Sequence, residues 1–473
     1  MTSEPTPAHR ESFRTTPPHD AAGKAAANDR REIFGWMMYD WAASAFSTTV
    51  AGTLLGAYLT SLAQTAVGEN GVVFSFGPLG SITAKSIYPF CVSASVFLQV
   101  FLLPVLGSLA DYSTLKKRLM ALFCYMGVTA TCLMFFITDR LYVFGGVLFV
   151  LANISFGAAI VFYNAYLSDI TTEDQRDKVS SRGFAAGYLG GGLLLALNLA
   201  LVLGAERVGI SAGLAVRISL LSAGLWWGGF ALVTFARLRT RPAHRSLPAG
   251  KTYLTAGFSE LRSAFGELRK LRHTLRYLIA YLFFNDGIQT LLGMSSVFLS
   301  QELKASQSFL LGLYLLLQFI AFGGALVFER IAALAGTKRA ILLSLAIWAG
   351  IVIYAYAFLA TLTQALFMGS VIALVLGGSQ SLSRSLFSRM IPKGYESSFF
   401  GIYEVSERGT SWLGPLIFGI VASATNSYRS AIMSLIIFFV VGMVILFFTD
   451  TDRAVHEAGN HLPEEVGAER ATA

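Results

Sequence analysis

Apolar residues fall into twelve long blocks separated by polar segments. The blocks lie near 34–63, 86–110, 119–138, 142–167, 183–204, 213–236, 275–299, 307–328, 339–360, 364–386, 399–421 and 428–449. A hydrocarbon core about 30 Å thick takes roughly 20 helical residues to cross, and the blocks match that length. Lipid offers no partner to a backbone N–H or C=O, so a crossing segment must satisfy its own groups as a helix. A membrane β-barrel would alternate polar and apolar residues over segments of about ten. The pattern therefore predicts an all-α integral membrane protein with twelve transmembrane helices.

The polar segments set the layout. Residues 1–30 read as a disordered tail, 31–236 as a first six-helix bundle, 237–274 as a central loop, 275–450 as a second six-helix bundle and 451–473 as a second tail. Lys and Arg accumulate on the cytoplasmic side of membrane proteins. With the N-terminus placed there, roughly 29 of the 36 basic residues fall inside and 6 outside, and Arg408 falls within a span. Both termini are thus expected in the cytoplasm. In the central loop Leu254, Phe258, Leu261, Phe265 and Leu268 recur at steps of four and three, with Arg262, Arg269, Lys270 and Arg272 off that face. That period predicts a short basic amphipathic helix, with a linker as the plainer alternative.

Composition agrees with lipid as solvent: 54% of residues are hydrophobic and 14% charged, against about 25% charged in soluble domains. The net charge of +8 is spread in short runs between apolar blocks, which argues against a nucleic-acid surface. Cys91, Cys124 and Cys132 sit in or beside apolar blocks and read as small buried hydrophobes rather than disulfide or metal ligands. Residues 1–30 lack the apolar core of a signal peptide. No metal-ligand spacing, nucleophile elbow or Walker motif occurs, so neither catalysis nor a cofactor is expected. The expected partners are a small solute, membrane lipid and a proton as coupling ion, and a monomer is expected.

The two halves repeat. Gly107-Ser-Leu-Ala-Asp111 before Lys116-Lys117-Arg118 is echoed by Gly324-Ala-Leu-Val-Phe-Glu329-Arg330 before Lys338-Arg339, and Ser168 by Ser388; the offsets are 218 and 220. Parallel six-helix halves are a transporter architecture. The 107–118 segment resembles the loop motif of the major facilitator superfamily, although Tyr112 stands where a basic residue is usual and no glycine precedes the lysines. Further segments are Tyr39-Asp40-Trp41-Ala42-Ala43-Ser44-Ala45-Phe46, Phe162-Tyr163-Asn164-Ala165, Gly187-Tyr188-Leu189-Gly190-Gly191-Gly192, Phe284-Asn285-Asp286-Gly287, Phe400-Gly401-Ile402-Tyr403 and Trp412-Leu413-Gly414-Pro415. Together they resemble the vacuole-effluxer-like branch of that superfamily. Its fungal members are autophagy-related amino-acid exporters, and it has many bacterial members. The resemblance implies the major facilitator fold, alternating access, amino-acid efflux and, for a bacterial-type member, the plasma membrane. A receptor or scaffold that keeps the fold without carrying a solute is the rival reading.

A charge at membrane depth is costly and marks a functional candidate. Asp40 and Ser44, with Ser47 and Thr48, share one face of the first span; Asp286, Gln289 and Thr290 share one in the seventh. Asn153, Gly157 and Asn164 line the fourth, broken by Ile160, and Gln380, Ser383 and Arg384 line the tenth. The resemblance implies that these four spans line the central cavity. Asp40 and Asp286, in corresponding spans, are expected to face each other there. Interhelical bonding at ~1 kcal/mol each is the alternative role for such groups. In the eleventh span Glu404 and Arg408 have ion-pair spacing, leaving Glu407 as a candidate proton carrier. The resemblance also implies a gate at Asp111, Lys116, Lys117 and Arg118, and the repeat extends it to Glu329 and Arg330.

The orientation has a direct test. Cysteines placed in 66–83 should react with an impermeant thiol reagent from outside, and cysteines placed in 245–252 only after permeabilisation. The reverse pattern overturns the orientation.

Overall fold

The computed structural model describes residues 27–69, 71–75, 81–111, 114–241, 264, 266–408 and 413–466, without the side chains of Gln307 and Arg408. Most of the two tails and of the expected amphipathic helix, together with the Arg408 side chain, lie outside the described residues.

Among the described residues, ten helices are long and apolar enough to cross a membrane. They are α1 (Arg30–Val67), α2 (Ile87–Asp111), α3 (Lys116–Phe136), α4 (Asp139–Ile170), α5 (Arg176–Leu203), α6 (Ala212–Arg237), α8 (Ser308–Ala335), α9 (Thr337–Ala357), α10 (Leu362–Arg389) and α12 (Tyr428–Phe447). The seventh and eleventh positions are taken by α7 (Arg272–Leu303) and by two shorter helices, α11a (Glu396–Arg408) and α11b (Leu413–Thr425). The fold is all-α, with twelve membrane-spanning positions in two six-helix halves.

Burial is arranged for lipid. Phe97, Phe101, Leu122, Leu197, Leu225, Phe367 and Ile420 are exposed around the outside, while Asn164, Ser180, Asp286, Arg384 and Glu404 are buried. A soluble protein shows the opposite bias. The halves meet where α2 packs on α11a, α5 on α8 and α10, and α4 on α11a. Glycine permits the closest approach: a Cβ on Gly107 would lie 2.2 Å from Ser397 O, and one on Gly401 2.9 Å from Leu103 O.

Two local features depart from regular α-helix, and the expected span at 399–421 is described as helix on either side of 409–412, as α11a and α11b. Pro415, near the start of α11b, has no N–H to donate. The middle of α1, Phe46–Leu54, is π-helical. The Ser47 and Thr48 hydroxyls donate to Ser44 O and the Thr53 hydroxyl to Thr48 O, so side chains compete for carbonyls in a β-branched run. Between α1 and α2 the chain forms an antiparallel hairpin, β1 (Val72–Ser75) with β2 (Ser81–Thr83); strands this short left no readable period.

Both ends of the described chain lie on one face, called here the terminal face. Asn28 N donates to Ile170 O, Arg239 N donates to Glu32, Lys338 donates to Phe447 O and Thr449 O, and Asn460 donates to Arg389 O and Ile391 O.

Gly107→Val tests the packing of the halves. It should destabilise by about 1–3 kcal/mol, the usual cost of overpacking, read as a lower thermal midpoint. Gly229→Ala, where an added Cβ meets nothing within 4 Å, should be neutral. Equal midpoints for the two variants contradict the close contact.

Candidate functional site

The site is built around one guanidinium. Arg384 sits one turn or so before the terminal-face end of α10, in the second half, and is 3% exposed. Among the described residues, every group that binds it belongs to the first half. Nε donates to Ser180 Oγ at 2.9 Å and Nη2 to Ser180 O at 2.9 Å. Nη1 donates to Asn164 Oδ1 at 3.3 Å. Both terminal nitrogens reach Asp40 Oδ2, at 3.4 and 3.5 Å. The planar group also lies 4.2 Å from the Phe184 ring centre, 4.9 Å from Trp36 and 5.5 Å from Tyr163.

Helical spacing explains the cup. Trp36 and Asp40 are four apart on α1, and Ser180 and Phe184 four apart on α5, so each pair presents one face. Gly183 leaves the space between them: a Cβ there would lie 2.6 Å from Asp40 Oδ2 and 2.8 Å from Trp36. Tyr163 completes the wall, stacked on Trp36 at 4.4 Å and donating its hydroxyl to Asp40 Oδ2 at 2.6 Å. The Trp36 indole N–H donates to Tyr163 O at 2.9 Å.

The magnitudes decide what holds Arg384. Its contacts to Asp40 are long, and a buried ion pair gains little net free energy after desolvation. The short bonds to Ser180 and three aromatic faces, each worth up to about 2 kcal/mol when desolvated, carry more. Asp40 balances the charge.

Other cross-half contacts surround this one. Asn164 Nδ2 donates to Glu404 Oε1 at 3.0 Å, linking α4 to α11a. The Tyr188 hydroxyl donates to Gln380 Oε1 at 2.8 Å, linking α5 to α10. Arg176 of α5 donates to Ser388 O of α10, the reverse of the Arg384 arrangement. Asp111, at the end of α2, accepts from Ser397 N, Ser398 N and the Ser398 hydroxyl. It thereby caps α11a, where a negative charge also meets the positive end of the helix dipole. In the repeated position Glu329 pairs with Arg182 at 3.5 Å. Arg389 pairs with Asp177 at 2.7 Å, and the Thr337 hydroxyl donates to the same carboxylate oxygen. Asp177, Arg182, Glu329 and Arg389 line a cavity of about 1270 Å³ on the terminal face.

Several expected residues take other places. Lys116 pairs with Asp169 at 3.0 Å within the first half, Lys117 donates to Leu238 O, and Arg118 and Arg330 are exposed. Of the expected gate, Asp111 and Glu329 make cross-half contacts and the basic run does not, because α3 turns the lysines toward α4 and α6. Among the described residues no bond joins Asp40 and Asp286. Asp40 belongs to the Arg384 cup, whereas Asp286 Oδ2 accepts from Gly414 N at 3.1 Å inside the second half. Ser44 lies against Gly187 and Gly191. Gln289 is half-buried, and Glu407 lends its carbonyl to Asn285 Nδ2. The expected Glu404–Arg408 pair falls on a side chain outside the described residues.

Sequence reasoning passed over Trp36, Arg176, Asp177, Ser180, Phe184 and Arg389. The basic ones read equally well as positive-inside anchors, and single polar or aromatic residues in a span carry no signal of their own.

The architecture and its buried polar seam define a transmembrane transporter of the major facilitator type. Within that class, residues 28–459 match the family described as "Vacuole effluxer Atg22 like", and the chain belongs to that family. It is 30% identical over 432 residues to the uncharacterized MFS-type transporter YxiO of Bacillus subtilis, covering 90% of this chain and 97% of that protein. It is 24% identical to autophagy-related protein 22-1 of Aspergillus niger, covering 93% and 92%. Among solved structures, the major facilitator transporter FucP in the outward conformation superposes with a TM-score of 0.62 at 10% identity, covering 89% of this chain and 99% of that one.

Arg384→Met tests the cup. It leaves Asp40 without its cation, and removing one partner of a buried pair costs about 3–5 kcal/mol. Thermal unfolding should show that loss, and the double variant Asp40→Asn/Arg384→Met should recover the part caused by the uncompensated aspartate. Additive losses contradict the coupling.

Proposed function

We propose that the chain moves a small solute by alternating access, and that the described state is closed on the terminal face. The observation that carries this reading is the Arg384 cup, a second-half side chain whose partners all belong to the first half. Such a seam must separate as a unit when the halves rock apart. Its bonds are individually modest, as a reversible closure requires. Asp111 on α11a and Glu329 on Arg182 extend the closure toward the terminal face.

Three finer assignments belong to this proposal. The terminal face is cytoplasmic, because Lys and Arg accumulate there. The membrane is the plasma membrane, in keeping with the bacterial relative. The solute is an amino acid and the direction is export, which rests on the family and on the mixed acidic and basic seam, suited to a zwitterion. The domain boundaries at 31–236 and 275–450 are the two rocking bodies, with 237–274 joining them.

The test is counterflow in proteoliposomes. Vesicles loaded with an unlabelled mixture of amino acids should accumulate labelled ones from outside, and Arg384→Met should abolish it. Saturable binding without flux would support a receptor instead. Flux of another solute with none of amino acids would keep the transporter and discard the substrate class. Bound substrate at 100 times its Kd should also stabilise the protein by about 2.7 kcal/mol.

A further inference from the structure

Asp286 lies in the middle of α7 and is 1% exposed. Its surroundings differ from those of Asp40 and Asp111. Asp40 has Arg384, and Asp111 has three donors on α11a. Among the described residues Asp286 has a single donor, Gly414 N of α11b, through Oδ2. Its other oxygen, Oδ1, is buried and has no hydrogen-bond partner among the described residues. The hydroxyl of Thr290, four residues on and on the same helix face, is likewise buried and unpartnered.

The groups on the elements packed around α7 do not neutralise Asp286. On α10, Arg384 and Arg389 are committed to Asp40 and Asp177. On α12, Arg429 pairs with Glu302 at 3.0 Å. On α11a stand Glu396, Tyr403, Glu404, Glu407 and Arg408, the side chain of the last lying outside the described residues: Tyr403 stacks on Tyr281 at 4.3 Å, Glu404 accepts from Asn164, and Glu396 accepts from Gly394 N. The α11b segment carries no charged residue. Helix α13 (Thr451–Glu457), at the terminal face, carries Asp452, Arg453, His456 and Glu457, with Arg453 paired to Glu457. Among the described side chains none of these makes a hydrogen bond or ion pair with Asp286.

A carboxylate at membrane depth with an empty oxygen and no bonded cation among the described residues is costly. The backbone around it is closely packed: a Cβ on Gly414 would lie 1.9 Å from Thr290 Oγ1, and one on Gly287 2.9 Å from Phe438. A metal ion needs several oxygen ligands, six to eight for calcium, and the described residues hold no cluster of three acidic, His or Cys side chains able to bind one. A proton needs one oxygen.

We propose that Asp286 is a proton-binding carboxylate, loaded and unloaded from bulk water, whose state of charge sets the grip of α7 on α11b. The proton binds Oδ1, the oxygen without a partner among the described residues. Loss of the negative charge weakens the bond from Gly414 N to Oδ2. The α11a segment carries the Asp111 cap and the Asn164–Glu404 bond to the first half. Asn285, next to Asp286, already holds Glu407 O of α11a at 3.0 Å. Adjacent residues of α7 thus hold both described parts of the eleventh span, one of which reaches the first half. The link to solute movement rests on the transport reading above; the proton site itself does not.

The experiment is infrared titration of the purified full-length protein in lipid nanodiscs, from mildly acidic to mildly alkaline pH, with carboxyl-labelled aspartate. The parent should show a protonated aspartic-acid carbonyl band that disappears reversibly as pH rises. Asp286→Asn should lose that band, and Asp40→Asn should keep it. Asp286→Glu keeps a carboxylic acid at the site and covers the case in which the Asn variant does not fold. It should move the band out of the labelled aspartate set and into the unlabelled glutamate set. A parent without a titrating aspartate band overturns the proposal, as does a band unchanged in Asp286→Glu. No solute is needed for this reading, so failure of counterflow would sink the transport assignment and leave the proton site standing.

Discussion

A guanidinium buried at membrane depth must have all its donors used and its charge balanced, and Arg384 meets both demands only by crossing from one half of the protein to the other. This constraint organises the seam. Trp36 and Asp40 of α1, Tyr163 and Asn164 of α4, and Ser180 and Phe184 of α5 converge on a group that none of those helices carries. Gly183 is bare because any side chain there would fill the cup. In the alternating access proposed above, separation of the halves would exchange these partners of Arg384 for water or for solute. The closed state then depends on a balance of many small terms.

The internal repeat gives this seam its two-fold character. Asp111 of α2 caps α11a, while Glu329 of α8 reaches Arg182 of α5, elements related by the same offset in sequence. The symmetry is approximate in chemistry. The first contact is a carboxylate on backbone N–H groups; the second is a partly exposed ion pair, which salt screens and which contributes little. Closure on the α2–α11a side is therefore the stiffer of the two.

Much of the architecture was legible because lipid imposes a coarse rule: a span is about twenty apolar residues whatever its tertiary partners. The residues of the seam were legible as candidates for the related reason that polar groups are expensive there, which marked Asp40, Asn164, Gln380, Arg384 and Glu404. Their pairing was not legible. Asp40 and Arg384 stand 344 positions apart, and nothing local distinguishes an aspartate that meets an arginine from one that accepts a backbone N–H, as Asp286 does. The π-helical stretch of α1 had only a cluster of hydroxyls to announce it, and such clusters also occur in regular helices.

The closure of the terminal face by the Arg384 cup can be measured directly as a distance between the halves. Spin labels on Lys178→Cys of α5 and Arg339→Cys of α9, both exposed, in a background without Cys91, Cys124 and Cys132, report across the seam by electron–electron double resonance. With the cup intact, the account predicts one dominant short distance. With Asp40→Asn or Arg384→Met added, it predicts a second, longer population from separated halves. An unchanged distance distribution in both variants would contradict the claim that this arginine holds the halves together.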